Sequence, residues 1–214
     1  MKIKKIFCMF IILALVFSIS GCAGTQKPED TVSEFLGAAQ NFDIEKMKTY
    51  INTDDAGDLS KFDSNDESVK DFYDYLKECA SKMTYNIKSS DVKDDTATVT
   101  VDFKYIDSTP FIQAVIKEVF TQALSSAFSG QEMTDEQTNA LFANIIKEQK
   151  SKIEDKYVEE TIDIKCVKVN GKWLIDSDDS LANVLTANFV SVIKNISSSF
   201  NNSGADSSSS SLNN

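Results

Sequence analysis

The acidic stretch at residues 52–66 contains side chains whose types and spacing could hold a calcium ion. Oxygen-bearing residues and one glycine fall at offsets 1, 3, 6, 7, 9 and 12 of a twelve-residue loop, namely Asn52, Asp54, Gly57, Asp58, Ser60 and Asp63. A calcium loop of this kind also needs an oxygen ligand at offset 5 and a bidentate glutamate at offset 12. Offset 5 is Ala56 and offset 12 is an aspartate. We therefore expect a solvated acidic loop and no metal site.

The residue types that are missing exclude several kinds of chemistry. The chain has no histidine, and all 22 of its basic residues are lysine. Without imidazole there is no Ser-His-Asp or Cys-His nucleophile system and no histidine metal site. Without arginine there is no bidentate fork for carboxylate or phosphate recognition. A net charge of −11 also argues against nucleic-acid binding. We expect no catalytic residues and no cofactor.

The first 22 residues have the pattern of a secretory signal peptide. Three lysines open the chain, an apolar run follows at residues 6–19, and the small pair Ser20-Gly21 stands directly before Cys22. The apolar run is shorter than the roughly 20 residues that a membrane-spanning helix needs. The pattern predicts export, with cleavage close to Gly21.

Ile19-Ser20-Gly21-Cys22 resembles the lipobox of bacterial lipoproteins. That resemblance implies cleavage between Gly21 and Cys22, and an N-palmitoyl, S-diacylglycerol cysteine at the new amino end. The mature chain would then be held by its acyl chains on the extracytoplasmic face of the cell membrane. An ordinary cleaved signal and an uncleaved anchor remain the alternatives.

Composition and patterning divide the chain into five parts. Residues 1–21 are the predicted signal peptide, 22–27 a tether, 28–200 one α+β domain with a helical insertion at 110–156, and 201–214 a disordered Asn/Ser tail. Abundant lysine, asparagine and isoleucine without arginine suggest an AT-rich genome, and we hypothesise a Gram-positive host.

Two cysteines besides Cys22 remain after cleavage of the signal. Cys79 shares a helical face with apolar residues, and Cys166 continues the alternation of Ile162 and Ile164. Both patterns favour buried free thiols that pack as small apolar side chains. Export permits a disulfide, so a Cys79–Cys166 bond stays open as the second interpretation.

Apolar residues at three- and four-residue steps predict helices at residues 28–50, 64–83, 110–130, 134–156 and 180–200. The first should break near Asn41. Ser64 with Glu67 forms a capping box, and Thr109-Pro110 has the pattern of an N-cap followed by proline at the first helical position.

Strict alternation predicts strands at residues 85–89, 97–105, 158–169 and 172–176. Asn170-Gly171 between the last two is a strong signal for a type I′ hairpin turn. The order of elements predicts an α+β domain in which helices cover one face of an antiparallel sheet.

Two segments resemble bacterial lipoproteins with a nuclear transport factor 2-like domain. The first segment is PEDTVSEFL, which begins at Pro28. The second is KVNGKWLID, the closing hairpin that contains Asn170, Gly171 and Trp173. The resemblance implies a cone, in which a long helix crosses a curved sheet and the mouth can hold a small ligand. The insertion at 110–156 departs from that fold and could cap the mouth.

That superfamily includes isomerases with an aspartate base and a tyrosine donor in a dry pocket. Asp102, Tyr85 and Tyr105 are the residues here that could take those roles. Asp102, however, is out of phase with the apolar positions of its strand, and we expect it to face water. Asp176, Asp178 and Asp179 are expected to cap the last helix, and Trp173 to lie in the core.

The sequence thus predicts an extracytoplasmic lipoprotein with a non-catalytic domain that binds an unidentified protein or small molecule. A ligand-binding or enzymatic domain on the same cone, and a substrate-binding lipoprotein of an importer, are the alternatives. The apolar insertion helices and the last helix are the surfaces on which a partner could bind.

Overall fold

The computed structural model describes residues 26–52, 69–130 and 133–205. Within them the chain forms seven helices and four strands, with these bounds: α1 Pro28–Gln40, α2 Ile44–Lys48, α3 Lys70–Lys82, β1 Thr84–Lys93, β2 Thr96–Ile106, α4 Thr109–Ser129, α5 Asp135–Lys152, β3 Tyr157–Val169, β4 Lys172–Asp176, α6 Asp179–Leu185 and α7 Phe189–Ala205. The signal peptide, the acidic residues 53–66 and the predicted capping box at Ser64 lie outside the described residues.

The break predicted in the first helix separates α1 from α2. Phe42 adopts a φ of 54°, in the left-handed region, so the helix cannot continue through it. The carboxylate of Asp43 then accepts a hydrogen bond from the backbone N–H of Lys46 at 3.0 Å and caps α2. Local side-chain chemistry therefore sets both the stop and the restart.

The four strands form one antiparallel sheet in the order β1-β2-β3-β4. Asn170 and Gly171, with φ of 52° and 82°, make the predicted turn between β3 and β4. Along β2, side chains alternate between a buried face and a solvated face. Those on the buried face are Ala97, Val99, Val101, Phe103 and Tyr105, and Ile106, at the end of the strand, is also buried. The predicted α+β class and antiparallel sheet are confirmed.

The first hydrophobic core lies between the buried face of the sheet and α1. Val32, Phe35 and Leu36 of α1 are fully buried against strand residues that include Val99 and Ile175. Trp173 also belongs to this core and is 5% exposed, as expected. The sheet is thus covered on one face, and its opposite face carries charged and hydroxyl side chains.

A second hydrophobic core lies among the helices beyond the Ile106 end of β2. It joins α3, α4, α5 and the start of α7 through buried residues that include Tyr75, Phe111, Ile145 and Val192. The predicted insertion is therefore built into a helical layer at one end of the sheet. Ser108, one residue before the predicted Thr109, is the N-cap position of α4, and α5 ends at Lys152, four residues before its predicted end.

The predicted helix over residues 180–200 is divided in two. After α6, Ala187 and Asn188 have φ of 52° and 68°. The N–H of Ala187 bonds the Val184 carbonyl at 3.2 Å, and the N–H of Asn188 bonds the Asn183 carbonyl at 2.8 Å. This pattern is a Schellman termination of α6. The second piece, α7, continues to Ala205, five residues beyond the predicted end.

Candidate binding groove

Tyr105 on β2 connects the sheet to the junction between α6 and α7. Its hydroxyl lies 2.8 Å from Oε2 of Glu160 and 3.2 Å from Oδ1 of Asn188. Burial and the bond to the Glu160 carboxylate raise the pKa of Tyr105, so the phenol stays protonated at all physiological pH values. The single hydroxyl proton is therefore shared between the carboxylate of Glu160, which is the nearer acceptor, and Oδ1 of Asn188 at the junction.

Asn188 carries this connection to the start of α4. Its side-chain N–H donates to Oδ1 of Asp107 at 3.1 Å, and the backbone N–H of Thr109 donates to the same oxygen at 3.1 Å. Burial acts to raise the pKa of Asp107, but the bonds from Thr109 and Asn188 outweigh it and lower the pKa. Ser108 adds a bond from its backbone N–H to the Ala187 carbonyl at 3.0 Å. The first turns of α4 and α7 are thereby held side by side.

A groove with a volume of about 560 Å³ runs between these two helices. Its walls are amide, hydroxyl and aliphatic side chains: Thr109, Gln113, Asn188, Ser191, Val192, Asn195, Ile196 and Ser199. None of these side chains carries a charge. The groove falls in the size range of small-molecule and peptide sites in proteins.

The lining defines what the groove can bind. Gln113, Asn188 and Asn195 each offer both a donor and an acceptor, and the serines add hydroxyls that can act as either. Val192 and Ile196 supply apolar surface. An uncharged ligand with several hydrogen-bonding groups, or a peptide backbone, matches this lining, whereas a charged ligand would lose hydration without gaining an ionic partner.

Of the residues named for an isomerase-like site, Tyr85 and Asp102 border the same depression on the sheet. Tyr85 pairs with Phe103 and its hydroxyl donates to the Ser33 carbonyl at 3.2 Å, so it points to the face opposite to the Asp102 carboxylate. Asp102 lies on the solvated face of β2, where it accepts a bond from Thr161 at 2.7 Å and pairs with Lys88 at 3.2 Å. These bonds lower its pKa, in the order Thr161 then Lys88. Tyr105 lies on the opposite, buried face of the same strand. The side chain of Asp102 faces water, as its phase in the strand predicts.

The aspartates before α6 have separate roles. Asp178 accepts the backbone N–H of Leu181 at 3.0 Å and caps α6. Asp179 pairs with Lys194 of α7 at 2.7 Å. Asp176 ends β4 and pairs in register with Lys165. Capping accounts for Asp178, and the ion pair of Asp179 joins α6 to α7.

Cys79 and Cys166 are free thiols, and the alternative of a disulfide between them is not found. Each is buried, Cys79 in the helical core and Cys166 in the core under α1. Burial raises the pKa of Cys79 to about 11 and that of Cys166 to about 12. The remaining site residues named from the sequence, Gly21 and Cys22, lie outside the described residues, as do the calcium-loop candidates after Asn52.

A second depression, of about 400 Å³, lies on the solvated face of the sheet. Each of its charged groups has a partner: Lys104 pairs with Glu159 at 3.1 Å, Asp102 with Lys88 at 3.2 Å, and Glu160 accepts a bond from Tyr105. Within residues 26–52, 69–130 and 133–205, no group of three Cys, Asp or Glu side chains could hold a metal ion. Over the same ranges, no helix has the length and apolar character needed to cross a bilayer.

Sequence reasoning missed the groove. In the α7 wall of the groove, Ser191, Asn195 and Ser199 recur at four-residue steps, so these polar residues form a stripe along one side of the helix. That stripe was the available signal. Gln113 and Thr109 gave none, because only the fold brings α4 beside α7.

Comparison with known proteins gives a family but no activity. A family model described as "Domain of unknown function (DUF5105)" matches residues 25–190. No curated protein matches the chain. A crystal structure of ycdA from Bacillus subtilis subsp. subtilis str. 168, provisionally described as a lipoprotein, is similar at 19% identity and a TM-score of 0.38. The match covers 75% of this chain and 46% of that one, so this chain spans less than half the length of the similar protein.

Proposed function

The chain belongs to the family of domains of unknown function DUF5105, and we propose that it is a lipoprotein on the extracytoplasmic face of the cell membrane whose domain binds an uncharged ligand or peptide segment in the α4–α7 groove without catalysis. The uncharged, amide-lined groove is the observation that carries the binding role. The amino-terminal sequence carries the anchor.

The anchor rests on the residues around Cys22. A lysine-rich start, a short apolar run and the Ser20-Gly21 pair precede this cysteine, which would carry N-palmitoyl and S-diacylglycerol groups. A single acyl chain binds membranes only marginally, but several acyl chains on one residue hold a protein durably. An acidic chain of net charge −11 has little attraction to anionic lipid headgroups, so the acyl groups would supply the binding energy.

The groove lies at the end of the sheet away from the tether. The hydroxyl of Thr31, in the first turn of α1, lies 3.5 Å from the carbonyl of Trp173, next to the β3–β4 turn. The groove begins at Thr109, three residues after Ile106, which pairs with Tyr157 at the other end of β3. Gln40, the last residue of α1, bonds the Met83 carbonyl at this second end of the sheet, so the two ends are separated by about the length of the 13-residue helix α1, about 20 Å. A partner in the periplasmic or external space could therefore reach the groove of an anchored chain.

We further propose that α1 and the sheet are a nuclear transport factor 2-like cone whose mouth is filled. In support, α1 lies across the sheet and contacts β1, β2 and β4. Phe35, Leu36 and Val99, between helix and sheet, are 0% exposed. With the space beneath α1 packed by apolar side chains, binding is more favourable in the groove formed by the added helices.

Several features support a role without catalysis. The chain lacks histidine and arginine. The carboxylate beside the groove hydroxyl of Thr109 is that of Asp107, whose pKa is lowered and which is already bonded to the Thr109 N–H and the Asn188 amide. A serine nucleophile needs an adjacent general base to be activated. The groove is therefore suited to binding, with specificity set by hydrogen bonds.

The anchor is tested by labelling growing cells with a palmitate analogue. The native chain should carry the label and fractionate with membranes, and Cys22→Ala should lose the label and appear in the soluble fraction. Cys8→Ala, within the segment that is removed, is the matched control and should behave as native. An unlabelled native chain, or a Cys22→Ala chain that stays in membranes, contradicts the proposed anchor.

The groove is tested by native mass spectrometry of the protein extracted from its host membranes. A bound species should be present on the native chain and absent from Ser191→Trp, because an indole at this wall position fills the groove. Ser197→Trp places the same bulk on an exposed position of α7 outside the lining and should retain the species. A species that survives Ser191→Trp contradicts binding in the groove, and a native chain with nothing bound contradicts the binding role.

A further inference from the structure

The polar side chains that line the α4–α7 groove repeat at one interval on both helices. Thr109 and Gln113 stand four residues apart on α4. Ser191, Asn195 and Ser199 stand four residues apart on α7. At 1.5 Å per residue, each of these steps is about 6 Å along the helix axis. On the basis of the binding role proposed above, we infer that the occupant of the groove is an extended, uncharged peptide segment that lies along α7.

An extended peptide has nearly the same repeat as the groove wall. Its residues advance by about 3.3 Å, and each of its edges presents an N–H and C=O pair at every second residue, about 6.6 Å apart. Ser191 and Asn195 can therefore bond consecutive pairs on the edge that faces α7. Over this one step the two repeats differ by only about 0.6 Å.

Three side chains of the lining have hydrogen-bonding groups that the fold does not use. Ser191 bonds through its backbone N–H and Asn195 through its backbone carbonyl. The Ser191 hydroxyl and the side-chain amides of Asn195 and Gln113 have no hydrogen-bond partner among the described residues. Asn188 and Ser199, by contrast, already bond other parts of the fold. Because the three available groups lie on both helices, they can bond the two opposite edges of one peptide.

The apolar part of the lining fits one face of such a peptide. Val192 and Ile196 also stand four residues apart, beside the polar stripe of α7. In an extended chain, side chains on one face recur at every second residue, again about 6.6 Å apart. Apolar side chains at alternate positions of the peptide would therefore contact Val192 and Ile196 in turn.

The same lining disfavours other occupants. A sugar presents hydroxyl groups around its whole rim, and those that met Val192 and Ile196 would lose water without gaining a hydrogen-bond partner. No side chain that lines the groove is charged, so a free peptide end would lose hydration without gaining an ionic partner. An internal segment of a peptide avoids both costs.

Calorimetric titration of the whole acylated chain in detergent tests the occupant. The α7 wall from Ser191 to Ser199 is about 12 Å long, the length of about four extended residues. The probe is therefore a five-residue peptide of alternating threonine and valine with acetyl and amide ends. The native chain should bind it, and Ser191→Trp should weaken binding at least tenfold. Ser197→Trp, exposed on α7 outside the lining, should bind like the native chain.

Maltotriose is the uncharged comparison ligand and should bind at least tenfold more weakly than the peptide. A peptide that does not bind, peptide binding that Ser191→Trp leaves unchanged, or maltotriose binding as tight as that of the peptide overturns the inference.

Ester substitution of the probe tests the extended geometry. Replacing the amide N–H of both valines by oxygen removes donors from one edge, and the same change at two threonines removes them from the other edge. Because α7 supplies more of the lining than α4, one ester probe should lose at least fivefold more affinity than the other. Equal losses overturn the extended arrangement.

Asn195→Leu removes one amide of the α7 wall and keeps a similar bulk. The preference between the two ester probes should shrink in this variant, because the bond that the more damaging ester removes is already lost. Asn139→Leu, exposed on α5 outside the lining, should keep the native preference. A preference that Asn195→Leu leaves unchanged overturns bonding along α7.

The species found by native mass spectrometry separates this inference from the proposed function. A species that Ser191→Trp displaces, but that does not fragment as a peptide, overturns the peptide occupant and leaves binding in the groove intact. A native chain that binds neither the probe nor any species from its host contradicts the proposed function itself.

Discussion

At the scale of single residues, Tyr105 shows how one polar atom in a hydrophobic core can position a distant element. The side chain is 2% exposed, and its hydroxyl meets Asn188 across 83 residues of sequence. A buried hydroxyl without a partner is costly, so its bonds help to fix where α7 begins. The groove is built on that position.

Replacing Tyr105 with phenylalanine should lower the free energy of unfolding by about 1–2 kcal/mol, because the carboxylate of Glu160 and the amide of Asn188 both lose a donor. Urea unfolding of the two chains measures the difference. Tyr157→Phe, at a tyrosine that is 44% exposed, should change stability by less than about 0.5 kcal/mol. If the two substitutions have equal effects, the Tyr105 hydroxyl does not hold the junction.

The two buried thiols should be unreactive in the folded protein. The pKa values of about 11 for Cys79 and about 12 for Cys166 leave almost no thiolate at pH 8. With the Cys22 sulfur acylated, a thiol reagent should modify neither cysteine in the native chain and both after unfolding without a reductant. Failure to react after unfolding would indicate a disulfide and contradict the free thiols of the structure.

Glu78 links residue chemistry to the pairing of α3 with α5. It accepts bonds from Lys150 and, at 2.7 Å, from Lys82, which also reaches Asp155 at 2.7 Å. The bond from Lys150, followed by that from Lys82, lowers the pKa of Glu78 below its ordinary value of 4.5. These ion pairs therefore stabilise the fold above about pH 4.5, and this stabilisation is lost as the pH falls through the lowered pKa.

Glu78→Gln should therefore destabilise the protein at pH 7 by about 0.5–1 kcal/mol, a modest value because the carboxylate is one-third exposed. The difference from the native chain should shrink as the pH is lowered through 4.5 towards 3. Thermal unfolding at several pH values checks this. As a control, Glu154→Gln at an exposed position should change the stability at pH 7 only slightly. If Glu78→Gln destabilised the protein at pH 3 as much as at pH 7, the ion-pair explanation would be contradicted.

At the scale of elements, strongly periodic segments and local turn chemistry were predictable. The Asn170-Gly171 turn and the break near Asn41 each depend on residues adjacent in sequence. The division between α6 and α7 was not predictable. The apolar period continues through residues 181–196, and the left-handed cap position is alanine where glycine is usual. The bonds that favour the break come from Ser108 and Tyr105, far away in the sequence.

Alanine substitutions at two glycines should change the free energy of unfolding in opposite directions. Gly171→Ala should lower the free energy of unfolding by about 1 kcal/mol, because its φ of 82° is unfavourable for any residue with a Cβ. Gly37→Ala, in the interior of α1, should raise it by about 0.5–1 kcal/mol. An added Cβ has open space at both positions, so backbone conformation alone separates them. Chemical denaturation measures both, and effects of the same sign would contradict the assigned turn.

At the scale of the whole molecule, the two hydrophobic cores support different parts of the domain. The core under α1 holds the sheet and the start of the domain, and the helical core supports the groove. Sequence patterns predicted the strands and the helices, but not that the inserted pair would join α3 and α7 in a core of its own. Such pairings depend on contacts between distant segments, for which a single sequence has no periodic signal.

This arrangement predicts the orientation of an anchored chain. The tether between Cys22 and Pro28 is five residues long, so the two ends are at most about 22 Å apart, and α1 begins beside Trp173 at the β3–β4 end of the sheet. That end should therefore stay near the bilayer, while the groove stays farther away.

In vesicles with an acceptor dye on the headgroups, a fluorophore on Lys172→Cys should transfer energy more efficiently than one on Ser197→Cys. Inserting ten glycine and serine residues before Pro28 should reduce the difference, because a longer flexible tether allows more orientations. Stronger transfer from position 197 would mean that the groove faces the membrane, and a partner outside the cell could not then reach it.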